Sequence, residues 1–419
     1  MYRKTVLKNG IRIISERLEH FRSVSLGVWV NVGSRDEREE ENGISHFIEH
    51  MSFKGTRRRS SLQIAKELDA IGGLSNAFTG AEATCFHARV LDKHLQALAD
   101  ILSDIFLHSR FEPGDISRER QVILQEINML EDTPDEQVHV LFSRFYWLNH
   151  PLGMPIMGTP ATVAAVNKRT VLGHIRRFYI PSRIIVAAAG HVEHEALVRC
   201  LEPLFEPLPA AAEDPVRTAP SSHFGVSCHP KDLEQVHFCL GGDGPHLSSE
   251  QRFAAAVLNA ILGGNMSSRL FQEIREKRGL AYNVYSFVSS YNDAGLFGVY
   301  GATDPKEVNR ALRVIKKEIK KIQKGEITRS DLEATLEHLI GGIWLGAENT
   351  DSRMIRLAKN EGLFGRYIPY EEVVSELQKV TLDQVVEVAQ QAFKKDSVAL
   401  VTLGPMEQDH LDLSPIAFG

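Results

Sequence analysis

Gly43-Ile44-Ser45-His46-Phe47-Ile48-Glu49-His50-Met51 is the stretch on which the reading of this chain turns. As a helix it places His46 and His50 four residues apart, one turn along one face. Glu49 lies three residues beyond His46 and points the same way. Phe47 and Ile48 fall on other sides, where they can anchor the helix in a core. Two imidazoles on one helical face can chelate a divalent cation, and the carboxylate between them can sit against a water held there. The bland alternative is a surface helix with scattered polar residues.

The pattern is His-x-x-Glu-His, the inverse of the His-Glu-x-x-His zinc motif. Zinc at a catalytic site takes three protein ligands and leaves a fourth position for water. A helix opening at Pro113 offers Glu119 and Glu126, seven residues apart and two turns along one side. Glu126 is assigned as the third ligand. Glu119 is a candidate to orient a ligand or assist proton transfer. The apolar face of this helix is read as Val122, Ile123 and Ile127, and the helix is expected to run past Glu131.

At 419 residues the chain is too long for one ordinary core, which favours two domains. Hydrophobic content of 43% with 24% charged residues describes a soluble globular protein. A formal net charge of −6 argues against nucleic acid as a partner. The lysines at 316, 317, 320, 321 and 324 read as the solvated face of a helix. Cys85, Cys200, Cys228 and Cys239 show no Cys-x-x-Cys spacing and are expected as reduced, packed thiols. No run approaches a membrane span, and no leader-like segment precedes the first strand pattern, so a cytoplasmic location and no membrane partner are expected.

Along the chain, Asn9-Gly10 separates two short apolar runs, a β-hairpin signature. Residues 23–32 read as a core strand, and residues 35–41 as an acidic, solvated loop. Ser60 or Ser61 caps a helix that Gly72-Gly73 stops. Strands follow at Leu74–Thr79 and 84–90. Residues 201–224 change character, with Pro203, Pro207, Pro209, three alanines and Pro215. They define a linker at 206–223 between domains 1–205 and 224–419.

The two halves echo each other. Gly114-Asp115-Ile116-Ser117-Arg118 returns as Gly325-Glu326-Ile327-Thr328-Arg329, 211 positions later, and Val166-Asn167 returns as Val380-Thr381 at an offset of 214. Near-constant offsets indicate a duplicated unit. The predicted fold is α+β: two duplicated α/β units, each an antiparallel-rich sheet packed with helices. The second copy lacks the metal residues, since residues 254–262 read Ala-Ala-Ala-Val-Leu-Asn-Ala-Ile-Leu.

His46-Phe-Ile-Glu49-His50-Met-Ser-Phe-Lys-Gly-Thr56, with Glu126 placed 76 positions after His50, closely resembles the pitrilysin/insulysin (inverzincin) zinc peptidases. The length resembles the mitochondrial processing peptidase branch and its bacterial relatives. The likeness extends over nearly the whole chain and includes Gly72-Gly73, Asn76-Ala77-Phe78-Thr79 and Arg275-Glu-Lys-Arg-Gly-Leu-Ala-Tyr282. It implies a zinc endopeptidase with one Zn²⁺ per chain on His46, His50 and Glu126, and Glu49 as general base. It implies that Leu74, Ser75, Asn76, Ala77, Phe78 and Thr79 form an edge strand to which an extended peptide substrate adds. Arg275 and Tyr282 resemble the pair that binds the substrate backbone and stabilises the tetrahedral intermediate. Arg269 and Arg278 nearby are taken as structural or solvated.

Long members of that family enclose a chamber with four such units, and their Arg/Tyr pair reaches the metal of the other half. A chain with two units is half of such a clamshell and is expected to complete it as a homodimer. Gly241-Gly242-Asp243-Gly244 is too short to match the glycine-rich loop of the non-catalytic processing subunit. Glu131, Asp132, Asp135 and Glu136 either receive a substrate arginine or form a solvated helix end. The competing reading is a non-catalytic core or scaffold protein, or a peptide-binding chamber, of the same fold.

Overall fold

The computed structural model describes residues 1–209, 214–412 and 414, so the three alanines of the expected linker lie outside the described residues. The chain forms two compact units. The first comprises Met1–Asn128, Met154–Thr218 and Leu345–Ile368. Its strands are β1 (Tyr2–Val6), β2 (Arg12–Arg17), β3 (Ser23–Val30), β4 (Leu74–Thr79), β5 (Thr84–Leu91) and β6 (Ile184–Gly190). They lie in the order β1-β2-β6-β3-β5-β4, and only β2 and β6 pair in parallel. The β1–β2 turn is built on Asn9-Gly10, with Gly10 at φ +100° as a tight turn requires.

β3 is buried on both faces because helices cover both sides of the sheet. On one face Val24, Leu26 and Val28 pack with Leu98, Leu102 and Ile105 of helix Leu95–His108 and with Leu197, Leu201 and Phe205 of helix His194–Phe205. On the other, Trp29, Cys85, Ile185 and Ala187 meet Met354, Leu357 and Ala358 of helix Thr350–Phe364. Gly27 lies under this helix: a Cβ there would come within 2.5 Å of Met354 Sδ.

The second unit comprises Met129–Gly153, Ala219–Trp344 and Pro369–Gly419. Strands β7 (Gly225–Pro230), β8 (Val236–Asp243), β9 (Ala281–Ser290), β10 (Gly295–Thr303) and β11 (Ala399–Gly404) lie in the order β7-β11-β8-β10-β9, again with one parallel pair, β7–β11. Without β1, the first sheet has the same order and the same single parallel pair. The duplication read from the offset echoes is thus a duplication of topology.

The units are not the contiguous halves 1–205 and 224–419. Residues 129–153 belong to the second unit and 345–368 to the first. The physical reason is burial: each sheet needs a helix over its otherwise open face. Thr350–Phe364 supplies it for the first sheet, and Pro134–Tyr146, through Val138, Phe142 and Tyr146, for the second.

Three other expectations change. Residues 35–41 are solvated only in part: Arg35 and Glu37 are buried, whereas Arg38, Glu39 and Glu40 are exposed as expected. Asp36 accepts from Arg183 at 3.0 Å and from Arg217 at 2.7 Å, while Arg35 donates to Glu82 and to the Thr218 carbonyl, each at 2.6 Å. The stretch 214–218, expected as linker, is therefore pinned to the first unit, because buried charges must be paired. Helix Pro113–Glu131 ends at Glu131, and its buried stripe is Ile116, Glu119, Ile123 and Ile127. Val122, one position off that stripe, is 41% exposed. The glycine run at 241–244 begins inside β8. The four cysteines are free, as expected. Among the described residues no helix is long and apolar enough to cross a membrane.

Candidate metal centre

The motif forms helix Ile44–Ser52. Ile44, Phe47, Ile48 and Met51 are buried against Ile116, Ile123 and Ile127 of helix Pro113–Glu131 and against Val163, Val166 and Val171. That packing fixes the helix, and the opposite face presents His46, Glu49 and His50.

A buried carboxylate sets the N-terminus. Glu37 accepts from the backbone N–H groups of Gly43 and Ser45, both at 2.7 Å, and from the Asn42 amide at 3.0 Å. These satisfy N–H groups that the first helical turn leaves open, and the anion sits at the positive end of the helix. Burial pushes the Glu37 carboxyl up, and its hydrogen bonds to Ser45, Gly43 and Asn42 oppose that. Beyond the other end, Thr56 donates to the buried Asp104 at 2.7 Å, and Arg59 donates to the same oxygen at 2.8 Å.

The three assigned ligands converge. One atom each from His46, His50 and Glu126 lies within 4.8 Å of the other two, the one such group among the described residues. His46 Nε2 is 3.8 Å and His50 Nε2 3.6 Å from Glu126 Oε2. Tetrahedral zinc with bonds of about 2.0–2.1 Å would separate its ligands by about 3.3 Å, so the three donors fit such an ion with only slightly wider spacing. Two imidazoles and one carboxylate are a donor set that would leave one position of a four-coordinate zinc open. Burial, and then the neighbouring His50, hold His46 down at about 4, so it is the neutral imidazole a metal ligand must be.

His50 Nδ1–H donates to Glu119 Oε1 at 2.9 Å, leaving Nε2 free for a metal. Lys54 Nζ lies 2.7 Å from the other carboxylate oxygen. Burial pushes Glu119 up, but its bonds to His50 and Lys54 outweigh this and hold it below the usual carboxylate range. Burial pushes His50 down, but Glu119, Glu126 and Glu49 outweigh it and raise it. Lys54 went unread in the sequence, although its place four residues after His50 is a usable signal. Glu37 carried no such signal, standing among Asp36, Glu39, Glu40 and Glu41.

Glu49 accepts a hydrogen bond from the Thr79 hydroxyl. Burial raises its pKa, with the Thr79 bond and His50 opposing and Glu126 assisting. Thr79 ends β4, which occupies the edge of the first sheet. The Ala77 N–H bonds to Asn76 Oδ1 at 2.9 Å, so it points away from β5 toward the open edge. By alternation Ser75 and Thr79 present their backbone groups the same way.

In the second unit the structure brings Arg275 and Tyr282 together, the guanidinium carbon 4.4 Å from the ring centroid. Arg278 is held by Glu273 at 2.6 Å and Arg269 donates to the Glu326 carbonyl, the structural roles expected for both. Glu131, Asp132, Asp135 and Glu136 straddle a break between two helices, with Glu131, Asp132, Asp135 and Glu136 all exposed.

Residues 12–160 match the family model described as insulinase (peptidase family M16), and residues 165–339 match the peptidase M16 inactive domain. The "Uncharacterized zinc protease YmxG" of Bacillus subtilis is 40% identical over 97% of this chain and 98% of its own length. The chain belongs to peptidase family M16. A second M16 relative, the "Uncharacterized zinc protease SCO5738" of Streptomyces coelicolor, is 39% identical over 97% of this chain and 90% of its own. The fold is that of a protease from Helicobacter pylori, with a TM-score of 0.91 and 22% identity over 97% of this chain and 99% of that one. A Pseudomonas fluorescens structure titled as a peptidase M16 inactive domain gives 0.88 at 16% identity, covering 97% of this chain and 98% of that one. The M16 inactive-domain match falls largely on the half that carries no metal residues.

Proposed function

We propose that this M16 chain is a zinc-dependent endopeptidase that cleaves short or unfolded peptides held extended along β4. The observation that carries the reading is the convergence of His46, His50 and Glu126 beside Glu49, whose carboxylate is bonded to the last residue of an open edge strand. His46, His50 and Glu126 would hold one Zn²⁺ per chain. Bound there, zinc supplies Lewis acidity that polarises a peptide carbonyl and acidifies water.

The chain's own groups do the rest. The outward backbone groups of Ser75, Ala77 and Thr79 pair with the peptide main chain, which demands little of its sequence. Glu49 takes a proton from the attacking water and returns it to the departing amine. Its raised pKa brings it nearer the working pH, where a group can both accept and give back a proton. Glu119, braced by Lys54, keeps His50 in the tautomer with Nε2 available. Arg275 and Tyr282 donate to the substrate backbone and to the carbonyl oxygen as it gains charge.

Ala77→Pro tests the edge. It removes an outward N–H while leaving the β5 ladder intact. KM is expected to rise about tenfold with zinc content unchanged; an unaltered KM on an unfolded peptide would contradict binding along β4.

The active site is proposed to be shared across a homodimer that closes a chamber. Its support is the division of labour: the metal residues stand in the first unit and the Arg275/Tyr282 pair in the second. A two-unit chain reproduces the four-unit arrangement when a second copy supplies the missing half, giving a C₂ dimer with two composite sites. Glu49→Gln and Arg275→Ala chains are each expected to be nearly inactive as homodimers. Mixed under subunit exchange, they should regain activity, because the Arg275→Ala chain brings an intact Glu49 and its partner an intact Arg275. Mixed dimers that form but stay inactive would refute the shared site.

A further inference from the structure

Arg275 is held by more than its place in the sequence. Residues Phe271–Glu276 form a π-helical turn, a geometry concentrated at functional sites, and the Lys277 N–H reaches back five residues to the Gln272 carbonyl at 3.0 Å. On this turn the Arg275 guanidinium carbon lies 4.7 Å from the centroid of the Phe271 ring. Gly279, at φ +58°, then reverses the chain, its N–H bonded to the Arg275 carbonyl at 3.0 Å. The Leu280 N–H bonds to the Ile274 carbonyl at 2.9 Å, and β9 begins so that Tyr282 faces the same guanidinium at 4.4 Å.

The other cations of the turn are engaged elsewhere, since Lys277 and Arg278 both pair with Glu273 at 2.6 Å. The ion pair of Arg275 is a long one, 3.7 Å from Nε to Glu276. The two aromatic rings, not a carboxylate, are its close neighbours. Tyr282 is 77% exposed, so its ring lies beside the guanidinium at the surface and not in a core.

We propose that Phe271 is a positioning residue for Arg275, forming with Tyr282 an aromatic sandwich that orients the guanidinium before a peptide arrives. This rests on the reading of Arg275 as a group that contacts the peptide backbone. A flexible arginine must surrender rotamer freedom on binding, whereas one stacked between rings has already done so, and its planar edge of N–H donors stays open. A carboxylate partner would occupy those donors; aromatic faces do not.

The test is a double-mutant cycle on the dimer, read as kcat/KM on an unfolded peptide. Phe271→Leu is expected to lower kcat/KM about three- to tenfold, whereas Phe271→Tyr, which keeps the ring, restores it to near the parent value. Phe271→Met is the second variant should the leucine chain fail to fold. In the Arg275→Ala background, followed through its residual cleavage at high enzyme concentration, the same substitutions should change kcat/KM about twofold or less, because the group they orient is gone. Zinc content and denaturation midpoint should follow the parent throughout. Equal losses in both backgrounds would overturn the positioning role and leave the peptidase reading standing. An Arg275→Ala chain as active as the parent would overturn the positioning role and the assignment of Arg275 together, while the zinc and Glu49 assignments would be untouched.

Discussion

Glu49→Gln is expected to cut peptide cleavage by about 10²–10⁴-fold, the span that proton transfer by a placed side chain contributes, while zinc stays at the parent level. Glutamine keeps the shape of the side chain and can still meet the Thr79 hydroxyl, but it cannot take a proton from water. Glu49 also lies outside the set of three donors that converge, so metal binding has no reason to change. His50→Ala removes one of those donors and should lose metal and activity together. Elemental analysis paired with cleavage assays separates the two. Equal zinc in the parent and His50→Ala would sink the ligand assignment, and full activity in Glu49→Gln would sink the general base.

The second large effect is expected at Glu37, which touches neither metal nor substrate. Both its carboxylate oxygens accept from N–H donors: Gly43 and Asn42 on one, Ser45 on the other. In Glu37→Gln an amide nitrogen must face one of these donors, and in Glu37→Ala the Gly43 and Ser45 N–H groups lose their acceptor, while the Asn42 amide keeps the Pro155 carbonyl at 3.0 Å. Unsatisfied buried groups cost about 1–3 kcal/mol each, so a loss of about 2–4 kcal/mol is expected for glutamine. Because these donors open the helix of His46 and His50, zinc affinity should fall in parallel. Denaturant unfolding with zinc titration measures both. A Glu37→Gln chain as stable as the parent would show that the cap carries no weight.

Local pattern carried much of this molecule, and its limits are physical. The His46–Glu49–His50 face was readable because a helix converts spacing into direction, and the ligands lie within one turn. The edge strand and the Gly72-Gly73 stop were readable for similar reasons. Glu126 was a choice between two glutamates on one stripe. The structure separates them, with Glu126 half-exposed toward the imidazoles and Glu119 buried behind His50. Glu37 was out of reach because nothing local distinguishes a buried capping carboxylate from its solvated neighbours. Arg35 and Asp36 escaped similarly, since their partners Thr218, Arg183 and Arg217 lie far along the chain. The contiguous domain boundaries missed the helix exchange for a related reason: an amphipathic pattern says that a helix has an apolar face, not which sheet will receive it.

That exchange bears on how the molecule is made. Synthesis delivers the strands of the first sheet by residue 190. The helix that closes their open face, with Met354 against Gly27 and Leu357 near Trp29, emerges more than 150 residues later. Until then the nascent sheet presents Trp29, Ile185 and Ala187 uncovered, a surface that invites chaperones or wrong partners. Met354 and Leu357 each contribute about 1.5–3 kcal/mol on burial, so the first unit reaches its full stability only after most of the second has been translated. The two units therefore mature as one folding event, and a gene cut at the linker would yield two fragments, each waiting for a helix the other encodes.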